Sequence, residues 1–191
     1  MSSSSKTGNI GLNQWQRTDF FIMDDFNADN QKIDAAFGAV AYAKLADVTT
    51  AADAVQVDVD LSSVDMSKYS ELHVTMRCNA DALGTTTMKL CVNDLTGTLY
   101  KCGSSGTTDY LTNPYMGTGG YLSYITVAPL PNGRISAICF GITGDTGVAS
   151  SANRGGVTLA AQTWLNKLNF IATSETYPIL AGTRVTVYGV K

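Results

Sequence analysis

The chain has 191 residues, of which 45% are hydrophobic and only 15% charged, with a formal net charge of −3. That apolar share supports a packed core and excludes disorder by composition, while solubility falls to the many Thr, Ser and Asn side chains. An acidic balance without clustered Lys and Arg excludes a generic nucleic-acid footprint. The absence of an apolar run of about 18 residues excludes a membrane-spanning helix.

Residues 1–23 read as an extended arm. Met1 and four serines lead in without the apolar stretch of a secretory signal. Gly8, Asn9, Gly11 and Asn13 then punctuate a segment carrying Trp15, Phe20 and Phe21. An arm so rich in aromatics buries them against something. Two readings stand open: packing on its own domain, or docking on a neighbouring subunit or another protein.

Residues 24–46 turn helical in pattern. Asp24 suits an N-cap, since a short carboxylate accepts the free N–H groups of a first turn. Phe26, Ile33, Phe37 and Val40, with Lys44 beyond, fall at the spacing of a coiled-coil seam, and Asn30 occupies an a-like position that would set register. An ordinary amphipathic helix on a core is the competing reading.

Residues 47–191 read as strands and turns. Val55, Val57, Val59 and Leu61 alternate with Gln56, Asp58 and Asp60; Leu72, Val74, Met76 and Cys78 with His73, Thr75 and Arg77; Met88, Leu90 and Val92 with Lys89, Cys91 and Asn93. Period two with one polar face marks antiparallel sheet covered on one side. Asn93–Gly97 predicts a hairpin into residues 98–102. Residues 103–120 predict a long Gly-rich loop. Residues 121–128 and 134–142 predict a hairpin about Asn132-Gly133. Residues 144–156 predict a second loop. Trp164, Leu165, Leu168, Phe170 and Ile171 mark a further strand, and residues 184–190 a last one. Some seven to nine short strands with Gly-rich turns indicate a mainly β protein, an antiparallel β-sandwich preceded by an arm and one amphipathic helix.

Little of this points to catalysis. Cys78, Cys91, Cys102 and Cys139 lack the paired spacing of a zinc site and read as reduced, strand-borne small hydrophobes, one disulfide remaining open. His73, the one histidine, sits on the polar face of a strand, so no imidazole base meets a nucleophile. Asp109 and Asp145 fall in the two loops without a feature that pairs them for glycoside hydrolysis. The expectation is a non-enzyme with no metal and no cofactor. Binding fits better: Tyr110, Tyr115, Tyr121 and Tyr124 gather in or beside the first long loop, with Asp145 and Arg154 in the second. Tyrosine rings suit sugars and protein surfaces alike. The competing reading has these tyrosines capping the core or a subunit interface.

Two segments carry a resemblance. Thr7-x-Asn9-x-Gly11-Leu12-Asn13, followed by Asp25-Phe26-Asn27 and Ile33-Asp34, resembles the opening of tail-fibre and tail-appendage proteins of phages and prophages of Gram-positive bacteria. The ending Ala181-Gly182-Thr183-Arg184-Val185-Thr186-Val187-Tyr188-Gly189-Val190 resembles the last strand of phage appendage sandwiches. The resemblance implies a jelly-roll-like sandwich in a receptor-binding type of structural protein, carried on the virion surface. Trp15, Phe20, Phe21, Phe26, Asn30, Ile33, Phe37 and Val40 would then serve attachment or oligomerisation, and Tyr110, Tyr115, Tyr121, Asp145 and Arg154 ligand binding. The implied partners are further copies of the chain in a trimer, other virion proteins and host-surface carbohydrate. Such fibres are often longer and carry shaft repeats, which are absent here. A capsid decoration or head-fibre protein, a free carbohydrate-binding module and a depolymerase are the alternatives.

Overall fold

The computed structural model describes residues 3, 5–20, 22–38, 42–78, 86–103, 106–116, 120–143, 154–162 and 165–191, with the backbone alone at 86, 87, 115, 116, 142, 143 and 154. The chain forms two compact units, residues 1–41 and 42–191.

In the first unit, strands β1 (Ser5–Lys6) and β2 (Asn13–Gln14) pair as a small antiparallel hairpin. Gly11 turns it with φ +66°, a region side chains rarely enter. One helix follows, α1 (Met23–Gly38). Asp24 lies inside its first turn beside Asp25, where both carboxylates favour the positive end of the helix dipole. Asp29 fastens the helix to the arm: one of its oxygens accepts from the Asn13 amide at 2.8 Å and from Asn13 Nδ2 at 2.9 Å. Lys32 reaches back to the Gly11 carbonyl at 2.6 Å. Burial opposes the charge on Asp29, but the Asn13 and Lys32 contacts outweigh it and hold its carboxyl below the usual range.

The helix stops at Gly38, not near residue 45, and Tyr42–Thr49 is strand β3. The sandwich therefore begins at Tyr42 rather than 47. The seam spacing that carried the helical expectation to Lys44 loses to pairing: β3 lies antiparallel to the last strand, β14 (Arg184–Val190), from Tyr42↔Val190 to Thr49↔Arg184 with one register shift at Val187/Tyr188. Tertiary pairing overrides a short helical period.

The second unit is a mainly β, antiparallel, jelly-roll-like sandwich. Its further strands are β4 (Gln56–Asp60), β5 (Glu71–Cys78), β6 (Thr86–Val92), β7 (Tyr100–Cys102), β8 (Thr107–Thr108), β9 (Tyr115–Met116), β10 (Tyr121–Pro129), β11 (Ile135–Thr143), β12 (Arg154–Thr158) and β13 (Lys167–Ala172). A large sheet runs β3-β14-β5-β10-β11-β12-β7-β8 and a small one β4-β13-β6-β9. The chain crosses repeatedly between them, and a single core lies between the two sheets. Val57, Val59, Met88, Leu90, Leu168 and Phe170 of the small sheet join Leu72, Val74, Met76, Ile125, Val127, Val185 and Val187 of the large one. Each such side chain contributes about 1.5–3 kcal/mol through burial. The four cysteines are buried and none is in a disulfide.

Several turns depart from the sequence expectation. Asn93–Gly97 is not a hairpin: β6 belongs to the small sheet, while β7 pairs with β12 and β8 in the large one. Asn93 and Asp94 take positive φ (53° and 57°), and the turn folds back onto β13. Asn93 Oδ1 accepts from Asn166 N at 2.9 Å, and Tyr100 Oη donates to Leu95 O at 2.9 Å. The segment 103–120 contains β8, β9 and the buried run 111–114, whose backbone bonds β6 through Leu90 N→Thr112 O and Met88 N→Pro114 O, both 2.8 Å. Arg154, Gly155 and Gly156 belong to β12 rather than a loop. Val55 is exposed and precedes β4. The β10–β11 hairpin runs as expected over nine registered pairs. Gly133 takes φ +77° at its turn, while Asn132 Oδ1 accepts from Arg134 N at 3.1 Å.

Candidate functional site

Of the residues expected to bind ligand, the side chains of Tyr110 and Tyr121 are described, and only the backbone of Tyr115 and Arg154. Tyr121 opens β10 and is only 4% exposed, its phenol lying over Gly141 on β11 and packed within the core. Tyr110 is half-buried against the core. The backbone of Tyr115 in β9 pairs with Thr87 of β6, and that of Arg154 opens β12 opposite Cys139. Asp145 lies outside the described residues. Asp109 is held in an ion pair with Lys89.

The expected attachment residues divide similarly. Phe20 and Phe37 are 70% and 73% exposed, Phe26 and Asn30 are exposed, and Trp15 and Ile33 are half-buried. Phe21 and Val40 lie outside the described residues.

Asp58 of β4 and Asp94 of the turn after β6 join a network about Asn169 of β13. Asn169, 1% exposed, donates from Nδ2 to Asp58 Oδ1 at 2.8 Å and to Asp94 Oδ1 at 2.7 Å, and its Oδ1 accepts from Asp94 N at 3.1 Å. Lys167 adds an ion pair to Asp94 at 2.8 Å. That hydrogen bond, with those of Asn169, keeps the Asp94 carboxyl below its usual range. These groups satisfy one another, which is a structural use of carboxylates. Among the described residues no three His, Cys, Asp or Glu side chains are gathered to hold a metal.

A pocket of about 150 Å³ opens between the 3-10 turn at Met66–Lys68 and the ends of β5, β10 and β11. Met66, Leu72, Ile135 and Leu165 make it apolar, with Glu71 and Gln162 as polar groups. Glu71 Oε1 already contacts His73 Nε2 at 2.8 Å.

The outer face of the large sheet carries the feature that sequence reading only half found. Alternation points Tyr124 and Thr126 of β10, Ile138 and Phe140 of β11, His73, Thr75 and Arg77 of β5, and Thr186 and Tyr188 of β14 away from the core. Tyr124 pairs directly with Phe140 on one side and Thr75 on the other, and Thr126 with Ile138 and His73. Tyr124, Ile138 and Phe140 are 46%, 48% and 49% exposed. Tyr42 extends the face, its ring centroid 5.3 Å from that of His73. Tyr124 stood among the loop tyrosines in the sequence, but Ile138 and Phe140 were passed over as strand residues. Their signal was an apolar residue at both parities of 135–140: Ile135, Ala137 and Cys139 point inward, Ile138 and Phe140 outward.

Fold and site together define an antiparallel β-sandwich with an aromatic outer sheet face and a separate arm-and-helix unit. No protein-family model matches the chain, and no curated protein matches it. Among solved structures it is similar to the Ruminococcus gnavus IT-sialidase CBM40, at 10% identity over 77% of this chain and 94% of that one, with a TM-score of 0.27. At that score the likeness carries no argument, and the fold rests on the strands described above. Among the described residues no helix is long and apolar enough to cross a membrane.

Proposed function

We propose that the protein is a non-enzymatic structural component of a phage particle, of the tail-fibre or tail-appendage kind. It attaches and trimerises through its first unit and displays the sandwich toward host-surface glycan. The observation that carries this reading is the division of labour along the chain. The sandwich holds its own core, while the arm and helix, fastened together by Asn13, Asp29 and Lys32, leave Phe20, Met23 and Phe37 largely exposed. Exposed aromatic and Met side chains on a small unit mark an interaction surface. The non-enzymatic part is supported by the engagement of Asp47, Asp58, Asp94 and Asp109 in ion pairs or hydrogen bonds and of His73 with Glu71.

The test is the mass in solution of the full chain and of the 42–191 fragment. A trimeric full chain and a folded, monomeric fragment are expected. A full chain that stays monomeric at micromolar concentration, and that adsorbs to Gram-positive cells no better than an unrelated β-sandwich, would overturn the reading.

A further inference from the structure

We propose that the outer face of the large sheet, centred on Tyr124 and Phe140, is a binding platform for an uncharged oligosaccharide. The proposal rests on the glycan-directed part of the function above and moves it from the loops to a named sheet surface.

Three observations carry it. The first is shape. Tyr124 and Phe140 are cross-strand partners on adjacent strands, so their backbones sit one strand spacing apart, ~4.8 Å, comparable to one pyranose unit of a linear glycan. Both rings are about half exposed on an open sheet face, where the C–H-rich face of a sugar ring is able to lie flat on them.

The second is the polar surround. Thr75 flanks Tyr124 on β5 and Thr126 lies two residues along β10, both partly exposed. These hydroxyls donate and accept equally well, which suits a polyhydroxylated ligand. The charges of the face are largely spent on one another. Arg184 grips both oxygens of Asp47 at 2.8 and 2.6 Å, Lys44 contacts Asp47 at 3.3 Å, and Glu71 holds His73. Arg77 stands exposed at the rim. A face with so little unspent charge complements a neutral ligand better than an ionic one.

The third is area. Tyr124, Ile138 and Phe140, each about half exposed, offer on the order of 300 Å² between them. A stable interface with a second copy needs about 800 Å² from each partner. The apolar spot is therefore the size of a few sugar rings.

The test places the full chain on a printed array of neutral and N-acetylated oligosaccharides, beside Tyr124→Ala, Phe140→Ala and Tyr124→Phe, with mass and thermal midpoint recorded for each. The expected result is binding to at least one neutral glycan. Each alanine change should weaken it about tenfold or more, Tyr124→Phe should retain it, and mass and melting should not change. Equal binding by the alanine variants would overturn the platform while leaving glycan recognition to another surface. Absence of any neutral glycan ligand would overturn it too, without touching attachment and trimerisation, which the mass of the 42–191 fragment decides. An altered mass in Tyr124→Ala would show that a second copy covers the face, and would also overturn it.

Discussion

The phenol of Tyr121 lies over the α-carbon of Gly141, filling the space that a Cβ at that position would need. A tyrosine that looked like part of a loop platform is thus the lid on one end of the core, and its partner has no side chain because the ring takes the room. Gly141→Ala forces the ring away and should destabilise the sandwich by about 1–3 kcal/mol, the usual cost of overpacking. Tyr121→Ala removes the ring instead and should cost about 3–5 kcal/mol. Denaturant unfolding monitored by circular dichroism measures both. A Tyr121→Ala protein of unchanged stability would contradict the packing described.

Asn169 is a second place where one side chain holds several groups. Replacing it with Leu removes the hydrogen bonds that this buried amide makes to the exposed Asp58 and Asp94 carboxylates and to the Asp94 amide. The expected loss is about 0.5–1.5 kcal/mol, the net worth of hydrogen bonds whose carboxylate partners remain open to water. The companion variant Asp94→Asn should recover little of it, since the amide still lacks its acceptor.

Acid should weaken the fold through Asp47. The Arg184 hydrogen bonds, helped by Lys44, hold its carboxyl far below the ordinary range. A depressed folded-state pKa means that the contribution is complete above the unfolded value of about 3.9 and is lost as pH falls below it toward the folded value. Thermal midpoints should therefore be flat from neutral pH to about 5 and fall below about 4. Asp47→Asn should flatten that fall and lower the plateau.

The cysteines should be silent in the native state. Burial pushes the Cys78 thiol up to about 12 and Cys139 to about 11, so neither is a thiolate at neutral pH. Incubation with a thiol-specific alkylating reagent should label neither until denaturant is added. Rapid labelling of the folded protein would show that these strands open readily.

The boundary between units gives a fifth expectation. A fragment starting at Tyr42 keeps all of β3, whereas one starting at Leu45 loses the pairs Tyr42↔Val190, Ala43↔Gly189 and Lys44↔Tyr188. The first should melt near the full chain's sandwich transition and the second measurably lower, by differential scanning calorimetry.

These results also show what was legible in the sequence. Strands with one polar face declared themselves: the Leu72-Val74-Met76-Cys78 run is buried residue for residue as its period dictates. Partner choice was not legible, because period two says which way a side chain points and nothing about which strand lies beside it. That is why Asn93–Gly97 read as a hairpin although it carries the chain between sheets. The β3 segment failed for a related reason: Tyr42–Thr49 has a mixed burial pattern, and its strand state comes from β14, about 140 residues away. Of the candidate site, only Tyr124 was in view. A glycine-rich neighbourhood drew attention to the loop tyrosines, while Phe140 became visible only once its register partner was known.

The position of β14 has a consequence for how the protein is made. It lies between β3 and β5, pairing with both along its length. A chain emerging from the ribosome therefore presents β3 and β5 with an unfilled slot between them until residues 184–190 have been synthesised. The large sheet cannot close during translation, and its edges stay open to wrong partners for that interval. Quality of folding should thus depend on release of the last strand: a nascent chain stalled just before Arg184 should remain protease-sensitive, and the same chain extended past Val190 and clear of the ribosomal tunnel should become resistant.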